Sequence, residues 1–129
     1  MKLTAIDPPR RYKVGRRVPH QISDCGRIEL SADEQVTFVT PGGAEYDVAR
    51  KAWGFYATPS LNGRLASFGL RAALVRNPEN RYFIFLVERG REDEMARYLA
   101  DEEQTLVTWL DTDEALRRLE TQLHNRTDT

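Results

Sequence analysis

The amino-acid sequence predicts an α+β fold, with an antiparallel-rich β-sheet of about five to six strands and two helices toward the C-terminus. Short runs of β-branched and aromatic residues, separated by turn residues, fill the middle of the chain. After Gly90 the hydrophobic period changes to that of a helix. The chain has 129 residues, of which 40% are hydrophobic, so it matches the usual size of one domain with its own core.

The N-terminal segment, residues 1–24, is expected to form an extended basic arm that is ordered only where it docks. Three prolines interrupt regular structure there, and no hydrophobic period is visible. Residues 25–124 are then expected to form a single α+β domain. Residues 125–129 are expected to be a disordered tail.

The first strands of the predicted domain are short. Residues 27–30 alternate between polar and apolar side chains, and residues 35–40 (QVTFVT) are rich in β-branched residues. The turn Pro41-Gly42-Gly43 should fold the second of these strands back onto residues 45–57.

The clearest hairpin in the sequence joins residues 70–76 to residues 81–87. Residues 77–80 form its turn, and proline at the second turn position fits type I geometry. The near-continuous apolar run of residues 82–87 predicts a strand that is covered on both faces and lies in the centre of its sheet.

Two helices and one more strand complete the predicted domain. Residues 92–100 place Met95 and Leu99 on one side, and carboxylates in the first turn suit the helix dipole. Residues 105–110 are predicted to be a strand that runs parallel to the one before this helix. The spacing of Asp111 and Glu114 fits a capping box at the start of the last helix.

The stretch 57–69 is predicted to be a loop of about a dozen residues with room for one helical turn, and loops of that length are often functional. Strand alternation puts Trp53 and Phe55 on one face and Tyr56 beside small residues on the other. Hydroxyl, amide, aromatic and guanidinium groups gathered there suit a small polar or anionic ligand of sugar or phosphate type. The candidate ligand-binding residues are Tyr56, Ser60, Asn62, Arg64 and Arg71. In the alternative interpretation, Trp53 and Phe55 fill the core and the loop is ordinary turn chemistry.

The sequence contains no recognisable catalytic constellation, and the chain is expected not to be an enzyme with covalent chemistry of its own. His20 lies in the arm and His124 at the end of the last helix, so a nucleophile at Cys25 or Ser60 would have no fixed base. Cys25 is the only cysteine, which excludes an intrachain disulfide and a cysteine-based zinc site. No nucleotide-binding glycine motif occurs, and neither a cofactor nor a metal site is predicted.

Charge is distributed unevenly along the chain. Residues 1–20 contain six Lys or Arg and one Asp, whereas residues 88–114 contain ten carboxylates and three arginines. The basic arm could therefore bind the acidic region of its own chain or of a second chain. The candidate partner-binding residues are Arg10, Arg11, Lys13, Arg16 and Arg17.

The leading hypothesis is a small soluble binding or accessory domain that recognises a polar or anionic ligand at residues 57–69. The first alternative is a homo-oligomeric interaction module that uses the basic arm against the acidic region. The second is a weak nucleic-acid binder through the arm, although the net charge of −1 argues against it. Without a leader pattern or an apolar run near eighteen residues, a cytoplasmic location and no membrane contact are expected.

Overall fold

The structure, a computed structural model, describes residues 1–127. Within these residues it contains eight strands in three antiparallel sheets, together with three helices, which confirms the predicted α+β class. The predicted number of five to six strands was too low. The strands are β1 (Lys2–Val14), β2 (His20–Glu29), β3 (Gln35–Val39), β4 (Glu45–Lys51), β5 (Gly54–Ala57), β6 (Leu70–Arg76), β7 (Tyr82–Glu88) and β8 (Thr105–Trp109). The helices are α1 (Arg64–Ser67), α2 (Glu92–Asp101) and α3 (Asp113–Thr127).

The N-terminal segment differs from the extended arm expected over residues 1–24. β1 and β2 pair as a long antiparallel hairpin, so residue 24 lies inside β2 rather than at a boundary. The prolines at positions 8 and 9 fall where the register shifts between Ala5 and Arg10, an irregularity that tolerates residues without an N–H donor. None of the hairpin residues is buried, so its formation requires no hydrophobic period.

The second sheet has the order β3-β4-β5. The stretch expected as one strand over residues 45–57 is divided, because the chain turns at residues 52 and 53 between β4 and β5. Gly54 has a φ of +149°, a conformation that side-chain-bearing residues rarely adopt. Trp53 lies in this turn and is 73% exposed, and Phe55 is 61% exposed. The interpretation that these two residues fill the core is wrong.

The third sheet has the order β7-β6-β8. β6 is its central strand and contributes four of the eight buried hydrophobic residues in the described part of the chain, whereas β7 lies at an edge. The prediction that residues 82–87 form a central strand is therefore wrong for the single chain. β7 and β8 are both antiparallel to β6, so the crossover through α2 joins two strands of the same direction that lie on either side of β6.

The core consists of two small clusters that meet at β6. One contains Ala44, Leu65, Leu70 and Ala72, and the other contains Ala73, Val75 and Leu99. Adjacent positions of a strand point to opposite faces, so Ala72 and Ala73 belong to different clusters. α1 packs on one face through Leu65, and α2 packs on the other through Leu99 and the half-buried Met95.

The start of the last helix also differs from the prediction. α3 begins at Asp113, and the Thr112 hydroxyl accepts a hydrogen bond from the Ala115 N–H at 3.1 Å. Thr112 thus caps the helix, while the Asp111 carboxylate accepts hydrogen bonds from Arg71. α3 extends through the first part of the expected tail, and residues 128–129 lie outside the described residues. In the part of the chain that the structure describes, no helix has the length and apolarity needed to cross a bilayer.

Candidate functional site

The predicted ligand-binding loop is held together by its own polar groups. The Ser60 hydroxyl accepts a hydrogen bond from the Arg64 N–H at 3.1 Å, at the start of α1. The Asn62 side-chain amide donates to Asp113 at 2.7 Å, which ties the loop to the first turn of α3. A side chain at Gly63 would contact the Ser60 hydroxyl too closely and would displace the Ser60 side chain. The expected helical turn in this loop is α1.

Arg64 is the most accessible cation of the predicted site. Its guanidinium lies 3.4 Å from Asp47 and 5.0 Å from the centre of the Phe68 ring, and its side chain is 56% exposed. Asp47 is buried and also accepts a hydrogen bond from the Thr37 hydroxyl at 2.6 Å.

Arg71 is a clamp between β6 and the end of β8. It donates two hydrogen bonds to Asp111, at 2.9 and 3.2 Å, and its guanidinium lies 3.7 Å from the centre of the Trp109 ring. Glu92 lies 3.8 Å away on the other side. The hydrogen bond to Asp111 is the main reason that the pKa of Arg71 is raised above its usual value.

Tyr56 lies on β5, where its ring stacks against Trp53 with 6.3 Å between ring centres. The polar side chains among the five candidates contact different partners: Asp113 for Asn62, Asp47 for Arg64 and Asp111 for Arg71. Their groups that suit an anionic ligand are thus largely engaged within the protein. The ligand site at residues 57–69 stays a prediction.

Two of the five candidate partner-binding residues contact the acidic region of the same chain. Arg16 lies 2.7 Å from Glu79 and 3.1 Å from Glu103, and Arg17 lies 2.9 Å from Glu103. The Arg16 backbone N–H also donates to the buried carboxylate of Glu102. The hydrogen bond that Arg16 donates to Glu79 is the main reason that the pKa of Arg16 is raised. The turn of the hairpin is therefore held to the main body by charge complementarity within one chain.

The other three candidate partner-binding residues lie on the hairpin surface. Arg10 lies 3.4 Å from Asp24 and over the Tyr12 ring, with 4.8 Å to the ring centre. Arg11 and Lys13 alternate with these residues and point to the opposite face of the hairpin, where both are exposed.

Two of the groups considered for catalysis, His20 and Cys25, each contact another residue. The His20 ring contacts Tyr98 edge-on at 5.9 Å, and the exposed Cys25 thiol lies 3.4 Å from the Ser23 carbonyl oxygen. Among the described residues, no group of three or more His, Cys, Asp or Glu side chains is placed to hold a metal ion.

The chain exposes far more surface than its mass requires. Its accessible area is 9494 Å², whereas a folded monomer of 14.9 kDa should expose about 7,000 Å². The excess of about 2,500 Å² is comparable to the area that each subunit buries in a large obligate interface. Part of it belongs to the N-terminal hairpin, none of whose residues is buried, and part belongs to apolar side chains that the single chain does not cover.

One uncovered apolar surface lies along β7. Tyr82 is 60% exposed, Phe83 45% and Ile84 56%, although they occupy alternating faces of the strand. An open groove of about 720 Å³ follows this strand. We call it the β7 groove; its lining includes Phe38, Val39, Ile84, Leu86 and Met95.

The backbone of β7 is also open on one side. The Arg89 N–H donates to the Gly69 carbonyl and the Asn77 N–H donates to the Arg81 carbonyl, so odd-numbered positions hydrogen-bond to β6. The even-numbered positions of β7 therefore point their N–H and C=O groups to the free edge. Sequence reasoning missed this edge, although its signal, the apolar run of residues 82–87, was recognised and assigned to the centre of a sheet.

No protein-family model, curated protein or solved structure matches this chain significantly.

Proposed function

We propose that this protein is a homo-oligomeric interaction module whose subunits associate through the free edge of β7. The observation that supports this proposal is an edge strand with exposed apolar side chains on both faces. Natural proteins protect sheet edges with lysine, proline, bulges or covering segments, because an open edge pairs readily with another strand. Residues 82–87 (YFIFLV) contain none of these protective residues.

A second copy of β7 fits this edge in an antiparallel arrangement. A two-fold axis at Phe85 would pair Tyr82 with the partner's Glu88 and Ile84 with the partner's Leu86. These are the positions whose backbone groups face outward, so every one of them would gain a hydrogen-bonded neighbour. The two three-stranded sheets would then form one continuous six-stranded sheet.

The β7 groove would be covered by the same association. Its apolar lining continues from the sheet edge onto Phe38 and Val39, which are 54% and 67% exposed. Standard interfaces bury about 800 Å² on each partner, well within the excess area of this chain. The basic arm does not support this interface, because the cations at its turn already contact carboxylates of their own chain.

The test is the mass of the protein by size-exclusion chromatography with light scattering. We expect a dimer for the native chain and a monomer for Ile84→Lys, which places a charge in the centre of the interface. Val107→Lys is the matched control, because Val107 is an exposed aliphatic residue on β8 at the opposite edge of the same sheet. Circular dichroism must show that both variants remain folded.

Two outcomes would contradict the proposal. One is a native protein that remains monomeric at high micromolar concentration. The other is a folded Ile84→Lys variant that keeps the native mass. The double variant Arg16→Ala, Arg17→Ala separates the arm from the edge: it should leave the mass unchanged, whereas dissociation would assign the interface to the arm.

A further inference from the structure

A second groove, lined by different residues from the β7 groove, lies between the base of the N-terminal hairpin and the turn that joins β4 to β5. It has a volume of about 790 Å³. We call it the Trp53 groove; the residues that matter here are Lys2, Arg27, Glu29, Arg50, Trp53 and Phe55. Three are cations, one is a carboxylate and two are aromatic.

Backbone hydrogen bonds hold the two sides of this groove together. The Asp33 N–H donates to the Arg50 carbonyl at 2.7 Å, and the Arg50 N–H donates to the Glu34 carbonyl at 2.8 Å. Lys51 adds an ion pair with Asp33. The segment that follows β2 is thus fixed beside β4, which places the base of the hairpin next to the aromatic turn.

The aromatic side chains of the groove are presented to solvent. Trp53 is 73% exposed and Phe55 is 61% exposed, values far from those of core residues. One ring contact, with Tyr56 at an interplanar angle of 29°, supports the indole. No atom outside the immediate chain neighbours lies within 4 Å of the position that a Gly54 side chain would take, so the turn stands clear of the body.

The three cations of the groove share it with one carboxylate, Glu29, which lies opposite Lys2 across β1 and β2. Arg50 pairs with Phe55 across β4 and β5, and its guanidinium donates to the Lys51 carbonyl at 2.7 Å rather than to a carboxylate. Among the ion pairs of residues 1–127, none involves Lys2 or Arg27. The groove therefore combines a local positive charge with two uncovered aromatic rings.

We infer that the Trp53 groove binds single-stranded nucleic acid, with bases stacked on Trp53 and Phe55 and phosphates near Lys2, Arg27 and Arg50. Aromatic rings interspersed with cations are the general means by which proteins hold single strands without reading sequence. An acidic peptide would satisfy the cations but would leave both rings without a stacking partner. Duplex bases are already stacked on one another, so a duplex would not use the rings either.

Binding should depend on salt to a predictable degree. Each phosphate neutralised on a single strand contributes about −0.7 to the slope of log affinity against log salt, so three cations give about −2. The net charge of −1 for the whole chain adds no general attraction. We therefore expect affinity that is weak at physiological salt and readily measured at low salt.

The experiment is fluorescence anisotropy with a short labelled oligothymidylate, titrated with the full chain at several salt concentrations. Trp53→Ala should weaken binding roughly 5- to 150-fold, the range found when a stacking residue is removed. Arg27→Ala should weaken it and reduce the salt slope by about 0.7. Arg118→Ala is the matched control, because it removes an exposed cation of α3 that lies outside the groove, and it should have no effect.

Three results would overturn the inference: no binding at low salt, equal affinity for Trp53→Ala, or preference for duplex over single strand. The Ile84→Lys variant separates this inference from the proposed function. The Trp53 groove is intact in this variant, so each subunit should bind the oligonucleotide as the native chain does, whether or not the subunits associate.

Discussion

Replacing Arg71 by alanine tests whether this residue is a structural clamp rather than a ligand-binding group. The guanidinium makes two hydrogen bonds to Asp111 and covers the Trp109 ring. The Asp111 side chain is only 2% exposed, whereas that of Arg71 is 21% exposed. Alanine at position 71 would therefore leave a nearly buried carboxylate without its cation.

The expected loss of stability follows from these exposures. Removing one partner of a fully buried ion pair costs about 3–5 kcal/mol, because the other charge remains in a poorly solvated place. Water reaches part of Arg71, so we expect a loss at or below the lower end, about 2–3 kcal/mol. For a domain of this length, that corresponds to a fall in melting temperature of about 6–12 °C.

Urea unfolding followed by circular dichroism measures this loss. Arg118→Ala is the matched control, since both partners of its ion pair with Glu114 are exposed and the expected change is below about 1 kcal/mol. The double variant Arg71→Ala, Asp111→Ala should be more stable than Arg71→Ala, because no unpaired buried charge remains. A loss for Arg71→Ala no greater than that of Arg118→Ala would refute the clamp.

The remaining predictions concern the register of the dimer, a helix cap and the response to acid. Arg81→Glu should tighten self-association, because a two-fold axis at Phe85 brings position 81 opposite the partner's Arg89; weaker association in light scattering would exclude that register. Thr112→Ala should lower the free energy of unfolding by about 1 kcal/mol through loss of the α3 cap, while Thr112→Ser should lower it less. Backbone hydrogen bonds, including one from the Gly90 N–H, lower the pKa of Glu92 below its usual value. The carboxylate therefore stabilises the fold above the usual pKa of glutamate and loses this effect as the pH falls through the lowered pKa, so Glu92→Gln should reduce the steepness of acid unfolding.

The local parts of the fold were predictable because each carries its own pattern. The hairpin of β6 and β7, and the two longer helices, follow from hydrophobic period and turn residues within a short stretch. The N-terminal hairpin has no such pattern, because it buries none of its residues and its prolines fall at an irregularity of the pairing. Periodicity reports burial, so it cannot detect an element that is paired but not buried.

The candidate site shows a second limit of what can be predicted from the sequence. The residue types were identified, but their partners were not, because Arg71 and Asp111 lie 40 positions apart and Asn62 and Asp113 lie 51 apart. The chain contains 20 carboxylates, and nothing in the local pattern of an arginine selects one of them. Tertiary structure makes that selection, and here it converts predicted ligand-binding groups into internal contacts.

The disagreement over β7 has a different origin and bears on self-association. Six consecutive residues with large side chains are typical of a strand that is covered on both faces, whereas the single chain leaves Tyr82, Phe83 and Ile84 about half exposed or more. Pairing with a second copy would give this strand neighbours on both edges and make it central, as its composition indicates. If the native protein is a dimer that Ile84→Lys dissociates, the sequence described the assembly rather than the subunit. A monomer would mean that an apolar edge persists without protection, and such a protein should aggregate on concentration.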